Sequence, residues 1–189
     1  MTRATALFTV ILATASCRTM YPPPLPALDG KQCDTLAVQD IANVIVFSTV
    51  DCPIANSYAP EIRALAADYG KAGIAFYLVH VDPDLTVDEM RAHAKEYGYT
   101  GVTIVQDVEH ALVRFCGADR TPEAVVITAS RKIVYQGAID DWYADIGKKR
   151  PQARKRYLRN ALDDILAGRP VSTPRTEAVG CFMPVLERK

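Results

Sequence analysis

The chain has 189 residues, of which 49% are hydrophobic and 23% are charged, and its 22 basic and 22 acidic residues cancel. This length is sufficient for one domain with a substantial core. The zero net charge excludes the electrostatic bias that binding to nucleic acid or to anionic membranes requires. No apolar run reaches the roughly 18 residues of a membrane-spanning helix.

Residues 1–16 have the organisation of a secretory signal peptide. A basic residue precedes an apolar run over residues 4–15, and that run ends in a small-residue cleavage pattern. The following Cys17, preceded by small residues, also resembles the end of a bacterial lipoprotein signal, in which the cysteine is lipidated. We therefore expect an exported bacterial protein that is either periplasmic or anchored through lipid on Cys17, with no other attachment to a membrane.

Composition divides the rest of the chain into three parts. Residues 17–32 are rich in proline and have no periodicity, which predicts an extended tether. Residues 33–170 contain the periodic segments of a single domain, and residues 171–189 form a C-terminal tail that carries Cys181. Because an exported chain can form disulfides, its five cysteines are candidates for pairing, which sequence alone does not assign.

The first half of the domain alternates strand and helix. Continuous β-branched runs predict buried strands at residues 42–49 and 74–81. Helical spacing of apolar residues over 54–69 predicts a helix between these strands, ended by glycines. A capping box, Thr86 to Glu89, opens a further helix that extends to about Tyr97.

The second half adds a short strand, a hairpin and two helices. The predicted elements are a strand at 102–105, a helix at 108–115, a hairpin of strands 123–128 and 132–135, and a helix at 154–166. Strands that alternate with helices favour an α/β fold with a mainly parallel sheet covered on both faces. The closing hairpin adds an antiparallel edge, so the sheet is mixed.

The stretch "DCPIAN" places Cys52 just beyond the first buried strand and at the start of a helix. Unpaired backbone N–H groups and the helix dipole favour a thiolate there. They lower a cysteine pKa from about 8.5 to roughly 3.5–7.5. Pro53 suits the first helical turn, where its missing N–H needs no partner. Cys52 is therefore the predicted nucleophile, and the alternative is a buried, inert cysteine.

The order of strand, Cys-Pro, helix and then "RTPEAVVI" before a hairpin resembles the thioredoxin-like superfamily. The helix and strand over 86–105 look like the insertion of its peroxiredoxin and cytochrome-maturation branches. This resemblance implies a central mixed sheet of about five strands with helices on both faces. It also implies that Thr121-Pro122 is the cis-proline element beside the reactive sulfur, with Arg120 as a further site-shaping residue.

The longer pattern "DCPIANSYAPEI…TPEAVVI…YQGAIDD", together with a terminal "VGC", resembles exported bacterial redoxin-domain proteins of the peroxiredoxin or alkyl hydroperoxide reductase-like kind. Two positions depart from the related families. Ala55 stands where a thioredoxin has its second cysteine, which excludes dithiol reduction within that motif. Thr49 matches the peroxiredoxin threonine but Ile45 replaces its proline, so Thr49 is either a donor to a peroxide oxygen or a plain strand residue.

Without a neighbouring cysteine, an oxidised Cys52 needs a resolving thiol from elsewhere in the chain. Cys181 is the first candidate, because it lies on a tail that follows the last helix and is able to fold back. Cys33 is the second candidate. Cys116 ends a short helix on its apolar side, which is typical of a core residue.

Metal binding is disfavoured, and no cofactor is expected. A copper-chaperone branch of the superfamily resembles "VDPDLTVDEM", but Asn56 replaces the second cysteine of its metal site. One thiolate with one histidine makes a poor copper site, so His80 is expected to satisfy its hydrogen bonds at the strand end. Asp140, Asp141 and Asp145 are expected to form a polar turn.

Two functions remain open on the sequence. The first is an exported thiol oxidoreductase in which Cys52 attacks a peroxide or a protein disulfide and an unknown thiol reductant restores it. The second is a non-catalytic binding protein on the same fold that recognises a metal or a protein partner. The two hypotheses differ in the pKa of Cys52, which only the first requires to be low.

Overall fold

A five-stranded mixed sheet forms the centre of the computed structural model, which describes residues 21–186. In chain order the strands are β1 (Leu25–Pro26), β2 (Gln32–Cys33), β3 (Ala42–Ser48), β4 (Ile74–His80), β5 (Thr103–Gln106), β6 (Arg120–Thr121), β7 (Glu123–Thr128), β8 (Ile133–Gly137), β9 (Tyr143–Asp145), β10 (Lys148–Lys149) and β11 (Cys181–Phe182). The helices are α1 (Pro53–Ser57), α2 (Ala59–Tyr69), α3 (Val87–Glu96), α4 (Ala111–Cys116) and α5 (Tyr157–Leu166).

The central sheet has the strand order β5-β4-β3-β7-β8. Strands β3, β4 and β5 are parallel, whereas β7 and β8 join antiparallel. Every residue of β3 is buried, because helices or other chain segments cover both faces of the sheet. The predicted α/β class, the mixed sheet of about five strands and its antiparallel edge are therefore confirmed.

Alternate residues of β3 supply two separate cores. Val44 and Val46 pack with residues of α2, α3 and α5, whereas Ile45 and Phe47 pack on the other face with α4. Full burial of one such side chain contributes about 1.5–3 kcal/mol to folding. Cys52 belongs to the first core, so it lies on the face of the sheet that carries α2, α3 and α5.

The predicted single helix over 54–69 is wrong at one point, because the chain breaks it at Tyr58. α1 ends at Ser57, and α2 begins at Ala59 with Pro60 in its first turn. A proline in the interior of a continuous helix would remove a hydrogen bond and clash with the carbonyl four residues earlier. The helix that follows Cys52 is therefore only five residues long, so local hydrogen bonds matter more there than a macrodipole.

The proline-rich segment also differs from the predicted extended tether. β1 and β2 form a small antiparallel hairpin, with Leu25 and Ala27 buried against the sheet. The Leu28 N–H donates to the Ile104 carbonyl at 2.9 Å. This hairpin covers β5, whose unpaired edge groups would otherwise be exposed. The predicted signal peptide (1–16) and the lipidation at Cys17 lie outside the described residues.

The C-terminal tail lies along the domain rather than away from it. The Gln136 N–H donates to the Pro174 carbonyl, and the Thr176 N–H donates to the Gln136 carbonyl, both at 3.0 Å. Beyond these contacts, β11 pairs antiparallel with β6. The end of the tail therefore lies beside Thr121 and packs against the core that contains Cys52. Within residues 21–186, no helix is long and apolar enough to cross a membrane.

Candidate functional site

Cys52 occupies the N-cap position of α1, at the turn that follows β3. Its Sγ accepts a hydrogen bond from the Ala55 N–H at 3.4 Å, while its own N–H donates to the Thr49 carbonyl at 3.4 Å. Pro53 lies in the first turn of α1, as predicted. The cysteine is only 1% exposed, so whatever reacts with its sulfur must fit a narrow space.

Thr121 and Pro122 lie directly against this sulfur and are joined by a cis peptide bond, as the resemblance implied. The Cys52 Sγ is 3.1 Å from the Thr121 carbonyl oxygen. That oxygen accepts a hydrogen bond from the thiol, so this single contact favours the neutral form of Cys52. Hydrogen bonds to the thiolate from other groups must outweigh it if Cys52 is to ionise easily.

Cys181 reaches the same place from the tail. In β11 it pairs directly with Thr121 of β6, and it packs against the core cluster that contains Cys52. The preceding Gly180 makes this approach possible, because a Cβ atom there would overlap the Thr121 carbonyl group and lie 3.1 Å from the Pro122 nitrogen. The structure thus brings together Cys52, Thr121, Pro122 and Cys181.

The two thiols have opposite acid–base properties. Burial raises the pKa of Cys52, but hydrogen bonds from the Cys181 thiol, the Ala55 N–H and the Cys181 N–H outweigh burial and bring that pKa below its ordinary value. Burial, together with the hydrogen bond to Cys52 and the repulsion from its charge, raises the pKa of Cys181 to about 11. Of the two thiols, Cys52 therefore loses its proton first, while Cys181 keeps its own.

We predict that the thiolate of Cys52 titrates below the reference thiol pKa of 9.0. Because the thiolate is the reactive form, its alkylation rate should rise with pH and level off above that pKa. The midpoint should move upward in Cys181→Ala, since this change removes the hydrogen bond that the Cys181 thiol donates to the sulfur. Thiolate absorbance and alkylation rate measure the midpoint, with Cys33→Ala as control. A wild-type midpoint at or above 9.0 would favour the non-catalytic hypothesis.

Thr49 and Arg120, two further predicted site residues, make different contacts. Thr49 is buried directly after β3, and its backbone carbonyl accepts a hydrogen bond from the Cys52 N–H. The guanidinium carbon of Arg120 lies 3.5 Å from the centre of the Phe182 ring. Arg120 therefore contacts the residue after Cys181, which makes it an anchor for the tail.

Asn56 is a site residue that the sequence identified only as a missing cysteine. Its Nδ2 donates to the Val50 carbonyl at 2.7 Å, and its Oδ1 lies 2.9 Å from Nε2 of His93. In turn, the Val50 N–H donates to Asp82 at 3.2 Å. These bonds tie α1 to α3 and to the loop before Cys52, and no sequence signal predicted them because the partners lie on separate elements.

The acidic turn near Trp142 also has a structural role that the sequence did not reveal. The Tyr58 hydroxyl donates to Asp140 at 2.6 Å, and the Trp142 N–H donates to the same carboxylate oxygen at 2.8 Å. The rings of Tyr58 and Trp142 pack edge to face with centroids 5.5 Å apart. The predicted polar turn is therefore also a structural link, because Asp140 fastens it to the junction between α1 and α2.

The expectation that His80 satisfies its hydrogen bonds at the strand end is wrong. It is fully buried, and neither ring nitrogen has a hydrogen-bond partner within residues 21–186. Its ring packs edge-on against His93, with centroids 4.9 Å apart, and burial lowers its pKa to about 3. His80 is therefore a neutral packing residue. Across the described part of the chain, no three His, Cys, Asp or Glu side chains form a group that suits a metal ion.

Cys33 and Cys116 belong to the core on the other face of the sheet from Cys52. Burial raises the pKa of both thiols, that of Cys116 to about 12. Cys116 is buried, in agreement with its predicted place in the core. Neither cysteine is positioned by this fold to meet the sulfur of Cys52.

Comparisons with known proteins identify the family and the fold of the chain. The Redoxin family model matches residues 12–143. An uncharacterised conserved protein from Geobacillus kaustophilus is 27% identical, with 89% of this chain and 90% of that chain covered and a TM-score of 0.76. A hypothetical protein from Sinorhizobium meliloti is 26% identical, with 85% and 88% covered and a TM-score of 0.72.

A more distant structure shares the fold. It is a secreted Mycobacterium tuberculosis disulfide oxidoreductase homologous to Escherichia coli DsbE, and it is 17% identical. The match covers 80% of this chain and 98% of that chain with a TM-score of 0.56. No curated protein is significantly similar to the chain.

Proposed function

The chain belongs to the Redoxin family, has the thioredoxin-like fold and functions in thiol-based redox chemistry, and from this premise we propose that Cys52 and Cys181 are its redox couple. Cys52 is the nucleophile, and Cys181 is the resolving thiol. The observation that carries the proposal is the seating of Cys181 against Cys52 by the pairing of β11 with β6. The couple thus replaces the dithiol that Ala55 removes from the local motif.

The proposed oxidant is a peroxide. The Cys52 thiolate attacks one peroxide oxygen, the O–O bond breaks, and the other oxygen takes a proton and leaves as an alcohol or water. Cys52 is then a sulfenic acid, which condenses with the Cys181 thiol to give a disulfide and water. In this scheme the peroxide is reduced by two electrons and the two thiols are oxidised by two.

Burial of the nucleophile supports a small oxidant. Cys52 is 1% exposed and lies beneath the paired strand of the tail, so a peroxide reaches the sulfur more easily than a disulfide within a folded protein. Thr49 stands three residues before Cys52 at the buried end of β3. We assign its hydroxyl the role of donating a hydrogen bond to the bound peroxide, and Pro53, Thr121 and Pro122 shape the space around it.

Thiol–disulfide exchange is the second candidate. One solved structure with this fold is described as a disulfide oxidoreductase, and the Cys52/Cys181 pair has the two thiols that such chemistry needs. A protein disulfide would reach Cys52 only after β11 had left β6. In that case Cys52 would attack the substrate disulfide, and Cys181 would then release the reduced substrate.

Activity of the wild type beside Cys52→Ser separates these functions. We expect peroxide-dependent oxidation of dithiothreitol by the wild type, and reduction to the background rate of free thiols in Cys52→Ser. Cys33→Ser should retain the wild-type rate because Cys33 lies with the other core. Reduction of insulin disulfides without peroxide consumption would favour the second candidate, and absence of both activities would favour the non-catalytic hypothesis.

We further propose that the protein is exported. The signal-like organisation of residues 1–16 supports this, as does the fold shared with a secreted oxidoreductase. The mass of the mature protein distinguishes a periplasmic form from a lipid-anchored form. Lipid on Cys17 adds the mass of acyl chains, whereas cleavage of the signal peptide alone does not. A mature protein that retains residue 1 in a bacterial host would contradict export.

A further inference from the structure

The two sulfurs of the proposed couple differ in their access to solvent. Cys52 is 1% exposed, whereas Cys181 is partly exposed and is followed by Phe182, which is 70% exposed. The Cys52 sulfur is enclosed by the Thr121 carbonyl at 3.1 Å, the Ala55 N–H at 3.4 Å and Cys181 itself. A group that approaches from solvent therefore meets Cys181 first.

The tail keeps Cys181 between solvent and Cys52, because contacts on both sides of Cys181 hold the tail in place. Gly180 packs on the backbone of Thr121 and Pro122, so closely that a Cβ atom would overlap the Thr121 carbonyl oxygen. After Cys181, the Phe182 ring lies under the Arg120 guanidinium, and the Met183 N–H donates to the Asp119 carbonyl at 3.2 Å. Cys52 is not uncovered unless these contacts break.

We propose that a thiol reductant restores the protein by attacking the Cys181 sulfur of the Cys52–Cys181 disulfide, so that the mixed disulfide forms on Cys181. This inference rests on the proposed redox couple and adds the sulfur at which its reductant acts. It also identifies the surface that the reductant contacts, which consists of β11 and the neighbouring Arg120.

The exchange is balanced as follows. The reductant thiolate forms a bond to the Cys181 sulfur, the bond between Cys181 and Cys52 breaks, and Cys52 leaves with the electron pair as a thiolate. A second reductant thiolate then attacks the mixed disulfide and releases the Cys181 thiolate, which takes up a proton. Two reductant thiols are thereby oxidised to a disulfide, and the Cys52–Cys181 disulfide is reduced to two thiols.

The relative quality of the two sulfurs as leaving groups also favours attack on Cys181. In thiol–disulfide exchange the thiol of lower pKa leaves faster. The backbone N–H groups of Ala55 and Cys181 lower the pKa of Cys52 and remain as donors when Cys181 carries the reductant, whereas burial raises the pKa of Cys181. Attack on the exposed sulfur therefore expels the better leaving group, whereas attack on the buried sulfur would expel the poorer one.

Trapping of the intermediate tests the proposal. The wild type is oxidised with diamide, which forms the disulfide without peroxide, and then receives a brief pulse of glutathione. Acid stops the exchange, remaining thiols are blocked, and peptide mass mapping locates the glutathione. We expect glutathione on Cys181 to exceed that on Cys52 by at least about tenfold.

Gly180→Ala provides a second measurement, because it pushes the tail off Thr121 and uncovers Cys52. The preference for Cys181 should then fall, while Gly70→Ala, whose added Cβ meets nothing within 4 Å, should keep it. Equal labelling, or a majority on Cys52 in the wild type, overturns the proposal. Failure of diamide to link the two cysteines overturns it together with the redox couple. A link that forms with diamide but not with peroxide contradicts only the proposed oxidant.

Discussion

Replacement of Cys181 by alanine is expected to stop peroxide turnover, although Cys52 should still undergo its first oxidation, more slowly because its pKa rises. The Cys52 thiolate would still attack peroxide, but its sulfenic acid would have no thiol to condense with. A thiol held in place acts at an effective molarity far above that of a millimolar external thiol, so turnover should fall by at least about 100-fold. Excess peroxide should then convert Cys52 to sulfinic acid, which thiols do not reverse.

Peptide mass mapping after stepwise addition of peroxide measures this outcome. The wild type should show a Cys52–Cys181 linked peptide, and Cys181→Ala should show Cys52 gaining two oxygen atoms in its place. Cys33→Ala is the matched control, because Cys33 is also partly exposed but lies with the other core. Undiminished turnover in Cys181→Ala, or a Cys52–Cys33 link in the wild type, would contradict the resolving role of Cys181.

Replacement of Gly180 by alanine is expected to weaken the docking of the tail with little effect on the rest of the fold. The new Cβ would overlap the Thr121 carbonyl oxygen, and overpacking of this kind costs about 1–3 kcal/mol. Because the tail is able to lift away, most of this cost should appear in the equilibrium between docked and undocked β11. That corresponds to a loss of about 5- to 150-fold in docking.

Three measurements should change together in Gly180→Ala. Disulfide formation after peroxide should slow, over-oxidation of Cys52 should increase, and the pKa of Cys52 should rise because the hydrogen bonds from Cys181 are lost. Gly70→Ala serves as control, since its added Cβ has no neighbour within 4 Å. A Gly180→Ala protein that forms the disulfide at the wild-type rate would show that the docked tail is not needed for resolution.

The central sheet was predictable from sequence because the signal for each of its buried strands lies within the strand itself. A strand covered on both faces tolerates few polar residues, so β3 and β4 appear as continuous apolar runs. The capping box at the start of α3 is likewise a local pattern, and the structure contains both of its reciprocal hydrogen bonds. The position of Cys52 between a strand and a helix follows from the same local signals.

Contacts between distant segments were less predictable. The composition predicts a tether where the structure has the N-terminal hairpin, because nothing in a proline-rich composition indicates that Leu25 and Ala27 are buried. His80 was expected to find hydrogen-bond partners at the end of β4, but its neighbour is the ring of His93 on α3. In both cases the deciding partner lies on an element that is remote in sequence.

The sequence by itself determined the position of the proposed nucleophile and the absence of a second cysteine near it. "DCPIAN" places Cys52 at a strand end before a helix and, through Ala55, withholds the second thiol. Only the tertiary structure decided where Cys181 lies, because its position depends on the pairing of β11 with β6. It also depends on the close approach of Gly180 to Thr121, which a glycine permits but does not impose. The pKa values of the two sulfurs follow from this placement, since hydrogen bonds and burial act only between groups that the fold has brought into contact.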